Sequence, residues 1–368
     1  MLCPKCGGRA VGSGAGRVLC RDCGKTSNGP EREARARQVA LERAGSVFPP
    51  PEGHTVKGVS TLYGPDGELR AQWVKTDTSE AERRAGLEAL TEAAISKLPR
   101  LKARPAVGRT LPALGVGYPI GDAHVGMLSW PAETGEAWDL EIAERIQCSA
   151  VAALTEAAPR AESSVIVSLG DWFHYDALEP VTTRSSHVLD ADGRYAKMIA
   201  VGMRIMRQCV ESALAKHDRV RVVCVPGNHD ETGSLWLGMA LAHLYERDER
   251  VTVDDSPAPF RYFRHGKTLV GCHHGHQCKP DKLPGVMAAD RAKDWGETEH
   301  RFWWLGHVHH QQVKEHPGCI VESFNTLAAK DAYATAGGWR AQRNMKAIVF
   351  HEEHGEVARH TVNARMFA

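Results

Sequence analysis

Five short segments of this sequence place potential metal ligands beside a glycine, each directly after an apolar stretch. In chain order they read GDAH, GDWFH, GNHD, HGH and GHVH, and they begin at positions 121, 170, 227, 274 and 306. Their candidate side chains are Asp122, His124, Asp171, His174, Asn228, His229, Asp230, His274, His276, His307 and His309. Carboxylate, imidazole and amide groups together suit manganese, iron or zinc better than magnesium alone. The glycines permit sharp turns and close backbone approach, so side chains from separate strands could converge on one point.

The apolar stretches before these motifs are predicted to be buried strands. They read LGVGYPI, SVIVSLG, RVRVVCVPG, KTLVGCH and FWWLGH. Helical segments are predicted between them around 139–157, 193–215 and 234–247, and two more strands near 346–351 and 356–363. This alternation predicts an α/β sandwich whose strands are buried on both faces. Functional loops are expected at the strand ends, where a rigid scaffold holds them.

The first 28 residues carry two C-x-x-C pairs, Cys3 with Cys6 and Cys20 with Cys23. A two-residue gap lets both thiolates of a pair reach one ion, and two pairs complete a tetrahedral four-thiolate site. The pattern therefore predicts a zinc ribbon at 1–28 with one structural zinc, whose binding would stabilise a segment too short for an apolar core. Zinc ribbons bind nucleic acid in some proteins and are purely structural or mediate protein contacts in others, so both roles stay open.

The region between the ribbon and the first buried strand contains three predicted elements. Residues 31–45 form a charged helix, and residues 54–75 form a hairpin around a PDG turn. A second helix begins at a capping box of Ser79 and Glu82 and ends before Pro99. Residues 29–112 are therefore predicted to be a helical and hairpin connector.

Bulk composition excludes several classes of protein. The chain has 368 residues and a formal net charge of +1, so no global electric field favours nucleic acid or a membrane surface, although a local basic stripe stays open. We find no apolar run of the roughly 20 residues that a membrane span needs. The start, MLCPKCGGRA, lacks the apolar core of a signal peptide. A cytoplasmic protein without membrane contact is the expectation.

The ordered motifs resemble the signature of the calcineurin-like metallophosphoesterase family: D-x-H, GD, GNH, a His before Gly, and GH-x-H. The resemblance covers about residues 116–310. It implies a double β-sandwich flanked by helices, with a dinuclear metal site at the strand ends, in a domain spanning 113–368. Two divalent ions, manganese, iron or zinc, would activate a bridging water and clamp the phosphate oxygens.

The resemblance also implies a role for each residue. One metal would be held by Asp122, His124, Asp171 and His309. The other would be held by Asp171, Asn228, His274 and His307, with Asp171 bridging both. His229 would be the proton donor or oxyanion stabiliser beside the phosphate. The family's His–Gly order selects His274 over His273 as the ligand.

The GDWFH segment indicates the class of phosphoester. Protein-phosphatase relatives carry an acidic residue and Arg after GD. This chain has His174 there instead, and its motif resembles that of the nuclease subunit of the bacterial SbcCD complex. The resemblance implies phosphodiester cleavage, with DNA as the favoured nucleic-acid partner and His174 helping to place the diester. The layout of a ribbon before a phosphoesterase also resembles bacteriophage proteins. Because the chain ends soon after His309, no ATPase partner is implied.

Other interpretations remain open at this stage. The chain could be a nucleotide or small-molecule phosphodiesterase or phosphatase with a structural ribbon, or a non-catalytic binding module. Residues 274–296 could form a lid whose basic side chains face a substrate, or a surface connection; those side chains are Lys279, Lys282, Arg291 and Lys293. Trp172 could stack on a base or pack in the core. The sequence gives no indication of the oligomeric state.

Overall fold

The computed structural model describes residues 108–182 and 187–368, together with five strands in the first 78 residues. These strands are β1 (Ala10–Gly12), β2 (Arg17–Cys20), β3 (Thr26–Asn28), β4 (His54–Tyr63) and β5 (Leu69–Thr78). β1–β3 form an antiparallel sheet, and β4 pairs with β5 as the predicted hairpin. The metal-binding atoms of the predicted ribbon and both predicted connector helices lie outside the described residues. The chain divides into two compact units, Met1–Glu92 and Ala93–Ala368.

The second unit alternates strands and helices, as the sequence predicts. Its described strands are β6 (Leu111–Ile120), β7 (Ala161–Ser168), β8 (Arg219–Cys224), β9 (Val251–Asp254), β10 (Arg261–His265), β11 (Thr268–His273), β12 (His300–Leu305), β13 (Gln312–His316), β14 (Cys319–Ser323), β15 (Asn344–His351) and β16 (Gly355–Asn363). Its described helices are α1 (Pro131–Thr134), α2 (Leu140–Ala157), α3 (Tyr195–Leu214), α4 (Glu231–Leu244), α5 (Leu283–Asp290), α6 (Ala292–Glu297) and α7 (Ala332–Ala336), with 3-10 turns at Pro280–Lys282 and Ala364–Phe367.

Two sheets carry the metal-ligand motifs. The first has the order β16-β15-β6-β7-β8-β9, in which β6 to β9 are parallel and β15 and β16 are antiparallel. The second has the order β10-β11-β12-β14-β13, with parallel β11, β12 and β14 between two antiparallel edges. Parallel strands need both faces covered, which explains their nearly continuous apolar runs.

The core lies between the sheets. Val167 and Val223 of the first sheet pack with Val270 and Trp304 of the second, and all four are buried. Gly117 of β6 faces the same indole, because a Cβ there would lie 2.3 Å from the Trp304 ring. A glycine at this strand position therefore lets the two sheets approach each other.

Helices cover the outer faces of both sheets. The Asp139 carboxylate caps α2 by accepting the Ile142 N–H at 2.7 Å, and α2 packs with α3 on the first sheet. On the second sheet, neighbouring side chains alternate between faces. Trp304 therefore faces the inner core, while Trp303 packs outward against Leu283 of α5. The result is a double β-sandwich flanked by helices, an α/β fold.

The segment after His274 is a surface connection rather than an irregular lid. It forms a 3-10 turn, α5 and α6, and it buries Leu283 and Met287 against the outer face of the second sheet. Its basic side chains, Lys279, Lys282, Arg291 and Lys293, are exposed. Within the described residues, no helix has the length and apolar character needed to cross a lipid bilayer.

Candidate metal centre

The predicted site residues follow the carboxyl ends of five parallel strands. β6, β7 and β8 end at Ile120, Ser168 and Cys224, and β11 and β12 end at His273 and Leu305. Each of the five motifs begins within three residues of its strand end. Since parallel strands present their carboxyl ends at one edge of a sheet, the two sheets bring all five motifs to one place.

Backbone strain is concentrated at the predicted ligands. Among the described non-glycine residues, positive φ angles occur only at five positions. They are Asp122 (40°), His124 (42°), Asp171 (51°), His307 (71°) and His309 (55°). Such conformations cost on the order of 1–3 kcal/mol each and persist where the surrounding structure enforces them. The fold therefore maintains an unfavourable backbone at five of the seven residues predicted to hold active-site metals.

A first group of donor atoms comes from Asp122, His124 and His309. The His124 Nε2 and His309 Nε2 atoms are 3.1 Å apart, and His309 Nε2 is 3.3 Å from Asp122 Oδ1. Two ligands at right angles on one ion, each about 2.1 Å from it, lie about 3 Å apart. Both separations in this group therefore match the distance between adjacent ligands of a single ion.

A second group comes from Asp171, His274 and His307, with Asn228 beside them. His274 Nε2 is 3.2 Å from Asp171 Oδ2 and 3.0 Å from Asn228 Oδ1. Asp171 and His274 are buried, whereas His307 is exposed. The structure thus brings these four residues together, and the spacing of their donor atoms again suits a single cation.

Neighbouring carbonyl and carboxylate groups orient the ligands. His274 Nδ1 lies 2.7 Å from the Leu169 carbonyl oxygen, which can only accept, so Nδ1 carries the hydrogen and Nε2 faces the other donors. The His307 main-chain N–H donates to both Asp122 oxygens, at 2.9 and 3.0 Å. Main-chain groups thus hold the His274 imidazole and the Asp122 carboxylate in position.

The protein groups by themselves favour positive charge at the second group. Burial opposes a charged His274, but Asp171 and Asp122 outweigh it and raise the pKa of this imidazole to about 10. At the first group, burial and then His229 and His309 lower the pKa of His124, which keeps it in the neutral form that metals bind. Burial is likewise outweighed by Asp122, which raises the pKa of His309, so the buried carboxylates favour positive charge in both donor groups.

His229 and His174 lie together beside the first group. His229 Nδ1 donates to the His174 carbonyl oxygen at 2.8 Å, so its Nε2 is the atom left for proton transfer. The His174 ring is buried, with its Nδ1 3.2 Å from His124 Nδ1. Burial and His229 lower the pKa of His174 to about 3, so this imidazole is neutral. The His174 ring is therefore on the buried side of the site, next to His124 and His229.

Asp230 is a site residue to which the motif pattern assigns no role. Its carboxylate is buried and accepts the main-chain N–H groups of Asp171, Trp172, Phe173 and Gly227, at 2.8–3.1 Å. It therefore joins the loop after β7 to the loop after β8. The sequence signal is its position directly after the GNH triplet.

The glycines of two motifs are required by close contacts. Gly170 has a φ of 94°, and a Cβ on it would lie 2.5 Å from His274 Nδ1. A Cβ on Gly227 would lie 2.1 Å from Asp171 Oδ1. The predicted close approach of backbone to ligand side chains is therefore present.

Two further histidines flank the second group without joining it. His273 is buried, stacks on Phe260 and accepts the Gly275 N–H at 2.9 Å, so it belongs to the strand end. The His276 ring centroid lies 5.2 Å from that of His274. Trp172, like Trp303 and Trp304, is fully buried, so core packing is its role.

Comparison with known proteins agrees with this geometry at the level of the family. The family model described as calcineurin-like phosphoesterase matches residues 120–350. No curated protein sequence matches the chain. Among solved structures, a predicted phosphoesterase from Streptococcus pneumoniae shares 11% identity over 69% of this chain and 99% of its own, with a TM-score of 0.28.

Two other solved structures show similarity of the same order. Vps29 complexed with zinc, from Entamoeba histolytica, has 13% identity, a TM-score of 0.28, and coverage of 68% of this chain and 99% of its own. GAP50 of Plasmodium, the anchor in the inner membrane complex, has 9% identity, a TM-score of 0.35, and coverage of 70% and 86%. None of these similarities indicates a substrate. The family model spans more than half of the sequence and all five motifs that converge in the structure, so the chain belongs to the calcineurin-like phosphoesterase family.

Proposed function

We propose that this metal-dependent hydrolase cleaves phosphodiester bonds and that its substrate is nucleic acid, preferentially DNA. The observation that supports hydrolysis is the convergence of two donor groups with His229 beside them. His229 forms a T-shaped contact with His124, with ring centroids 5.0 Å apart. A proton-transfer group therefore lies beside the place where one ion would hold the phosphate.

The two donor groups support a site for two ions, which we propose to be manganese, iron or zinc. One would bind Asp122, His124, Asp171 and His309. The other would bind Asp171, Asn228, His274 and His307. Bound ions would lower the pKa of a bridging water and stabilise charge on the phosphate oxygens.

The chain's own groups supply orientation and proton transfer. The Leu169 and His174 carbonyl oxygens fix the tautomers of His274 and His229, so the Nε2 atom of each faces the centre. Protonated at Nε2, His229 donates to the leaving alkoxide oxygen and remains hydrogen-bonded through Nδ1. Without that proton, Nε2 can accept a hydrogen bond but has no proton to donate to the leaving oxygen.

The preference for a diester rests on GDWFH. In place of the acidic residue and Arg of the protein-phosphatase pattern, the chain has His174, buried between His124 and His229. His174 therefore acts as a positioning residue. Its main-chain carbonyl oxygen accepts the His229 Nδ1–H, and its ring contacts the ring of His124, a proposed metal ligand. No arginine gripping a monoester occurs in this motif, which favours a substrate with two ester arms.

A substrate panel tests the proposal. Manganese-loaded protein is incubated with single- and double-stranded DNA, RNA, cyclic nucleotides, an aryl phosphomonoester and a bis-aryl phosphate. We expect cleavage of phosphodiesters, including DNA. Cleavage of only the monoester would contradict diester specificity. Cleavage of only small diesters would contradict the nuclease and favour a small-molecule phosphodiesterase.

His229→Ala separates chemistry from metal binding. We expect turnover to fall by about 10²- to 10⁴-fold, the usual contribution of general acid–base catalysis, with two ions still bound per site. His243→Ala is the matched control, since it removes an exposed imidazole from α4. Retained activity in His229→Ala would contradict its role.

We also propose one structural zinc on Cys3, Cys6, Cys20 and Cys23. Elemental analysis of Cys20→Ser should show one zinc fewer per chain, with bis-aryl phosphate hydrolysis retained. Unchanged zinc content would contradict the ribbon.

A further inference from the structure

Three segments that leave the metal centre meet again at the surface. The first segment runs from His124 to Trp130. The second contains Thr326 and continues to Lys330 and α7, and the Thr326 hydroxyl donates to the Asp122 carbonyl oxygen at 2.6 Å. The first two are joined farther out, where the Ser129 hydroxyl donates to the Lys330 carbonyl oxygen at 2.8 Å and α1 packs against α7. The third follows GDWFH and joins the first, because the Leu128 N–H donates to the Asp190 carbonyl oxygen at 2.9 Å.

Large aromatic side chains are exposed where these segments meet. Trp130 directly precedes α1 and is 65% exposed; Tyr333 and Trp339, in and after α7, are each 59% exposed. Tyr333 and Trp339 touch edge to face with centroids 5.3 Å apart, and His187 of the third segment lies 5.2 Å from Tyr333. By contrast, Trp172, within the GDWFH motif itself, is fully buried. Adjacent exposed rings on a folded domain are typical of a binding surface.

The local backbone holds one of these rings in place. The Trp339 N–H donates to the Ala334 carbonyl oxygen at 3.0 Å. A Cβ on Gly337 would lie 3.2 Å from the Trp339 indole, so the glycine allows the ring to lie close to the chain. The exposed indole is therefore presented in a defined orientation, which lowers the entropic cost of binding.

A basic side chain borders the same surface. Arg340 is exposed, and its guanidinium donates to the Trp339 carbonyl oxygen at 2.9 Å and, at longer distances, to carbonyl oxygens of α7. Within the described part of the chain, none of the ion pairs involves Arg340. Its positive charge is therefore available to an anionic ligand beside the aromatic rings.

We propose that Tyr333 and Trp339 form a base-stacking surface that binds unpaired nucleotides of a nucleic-acid strand, with Arg340 against the phosphates. Aromatic faces beside positive charge bind single strands because every base offers a π-face and every linkage a negative charge. A duplex keeps its bases stacked inside, so the surface selects single-stranded regions. This inference rests on the proposed nuclease function and names the form of its substrate.

The test compares two strands that differ only in their bases. Binding of metal-loaded protein to a fluorescently labelled, phosphorothioate-linked oligothymidylate is measured by anisotropy, beside an abasic strand of equal length. We expect the thymidylate to bind more tightly. Trp339→Ala and Tyr333→Ala should each weaken it by about 5- to 150-fold, the range for losing one stacked base. Abasic binding should change by less than twofold, and Trp339→Phe should retain most of the affinity.

The matched control is Met239→Ala, which removes another large exposed apolar side chain, 63% exposed, from α4. It should bind both strands as the wild type does. Equal binding of the two strands by the wild type, or unchanged binding by both alanine variants, would overturn the surface. So would a dimer that dissociates in Trp339→Ala while strand binding is retained, since the rings would then form a protein interface.

Hydrolysis of bis-aryl phosphate, measured on the same samples, separates the two proposals. Hydrolysis without base-dependent binding would overturn the stacking surface and leave the phosphodiesterase standing. Base-dependent binding without any hydrolysis would overturn the proposed function and leave the surface standing.

Discussion

Substitution of Asp230 by Asn should damage the metal centre without removing a ligand. In the native chain, Asp230 Oδ1 accepts the N–H groups of Asp171 and Gly227, and Oδ2 accepts those of Trp172 and Phe173. Burial and the nearby Asp171 raise the pKa of Asp230. However, both oxygens already face N–H donors, so a proton on either would lack an acceptor, and the ionised carboxylate is the form that fits.

The size of the effect follows from counting donors. Asn keeps one acceptor oxygen and turns its NH₂ group towards the other two N–H groups. Two buried donors then lose their partner, at about 1–3 kcal/mol each, so the free energy of unfolding should fall by about 2–6 kcal/mol. Proteins of this kind are stable by about 5–15 kcal/mol in total. A decrease in Tm on the order of 10 °C should accompany the loss.

The assay is urea unfolding at fixed metal concentration, with bound metal measured in parallel. Asp331→Asn is the control, because Asp331 caps α7 by accepting the Ala334 N–H at 2.8 Å, and Asn caps a helix about as well as Asp. We expect the control to change stability by less than about 0.5 kcal/mol. If Asp230→Asn stays within about 1 kcal/mol of Asp331→Asn, the reasoning about the four buried donors is wrong.

Three further perturbations should report on other parts of the fold. Gly227→Ala should reduce bound metal and stability, because its Cβ would lie 2.1 Å from Asp171 Oδ1. The control is Gly285→Ala in α5, whose Cβ meets nothing within 4 Å and which should stabilise the fold by about 0.5–1 kcal/mol. Equal metal content and stability in the two variants would contradict this prediction. Burial lowers the pKa of His217 to about 4, so its contribution to stability is complete above about pH 6.5 and declines by about 3 kcal/mol as the pH falls towards 4. His217→Gln should unfold with a shallower pH dependence than the wild type, and parallel curves would refute the assignment. Chelation should abolish hydrolysis and lower Tm, and Mn²⁺ at 100 times its Kd should restore about 2.7 kcal/mol; an unchanged melting curve would contradict a resident ion.

Much of the candidate site could be predicted from the sequence because its information is local. Each motif follows its own apolar strand, and residue type alone identifies Asp122, Asp171 and His274 as possible ligands. The order of the motifs resembles the family signature, and the family-model match over residues 120–350 confirms that resemblance. Strands β6, β7, β8, β11 and β12 were predictable because both of their faces are buried, which requires continuous apolar runs.

Other strands escaped prediction because their patterns are weak. The residues of β13 are exposed or partly exposed, and they read QVKEH at the edge of the second sheet. β10 reads RYFRH and alternates only briefly. Edge strands carry polar side chains on the solvent side, so hydrophobic periodicity does not distinguish them from loops.

The sequence by itself determined which residue types follow each strand, the family, and a prediction of hydrolysis. Only the tertiary structure decided that Asp230 holds two loops through four N–H groups. It also decided that Trp172 is core while Trp130 and Tyr333 are exposed. The physical reason is that residue type and spacing are local properties, whereas burial and hydrogen-bond partners depend on segments far apart in the chain: Asp230 and Trp172 are 58 residues apart.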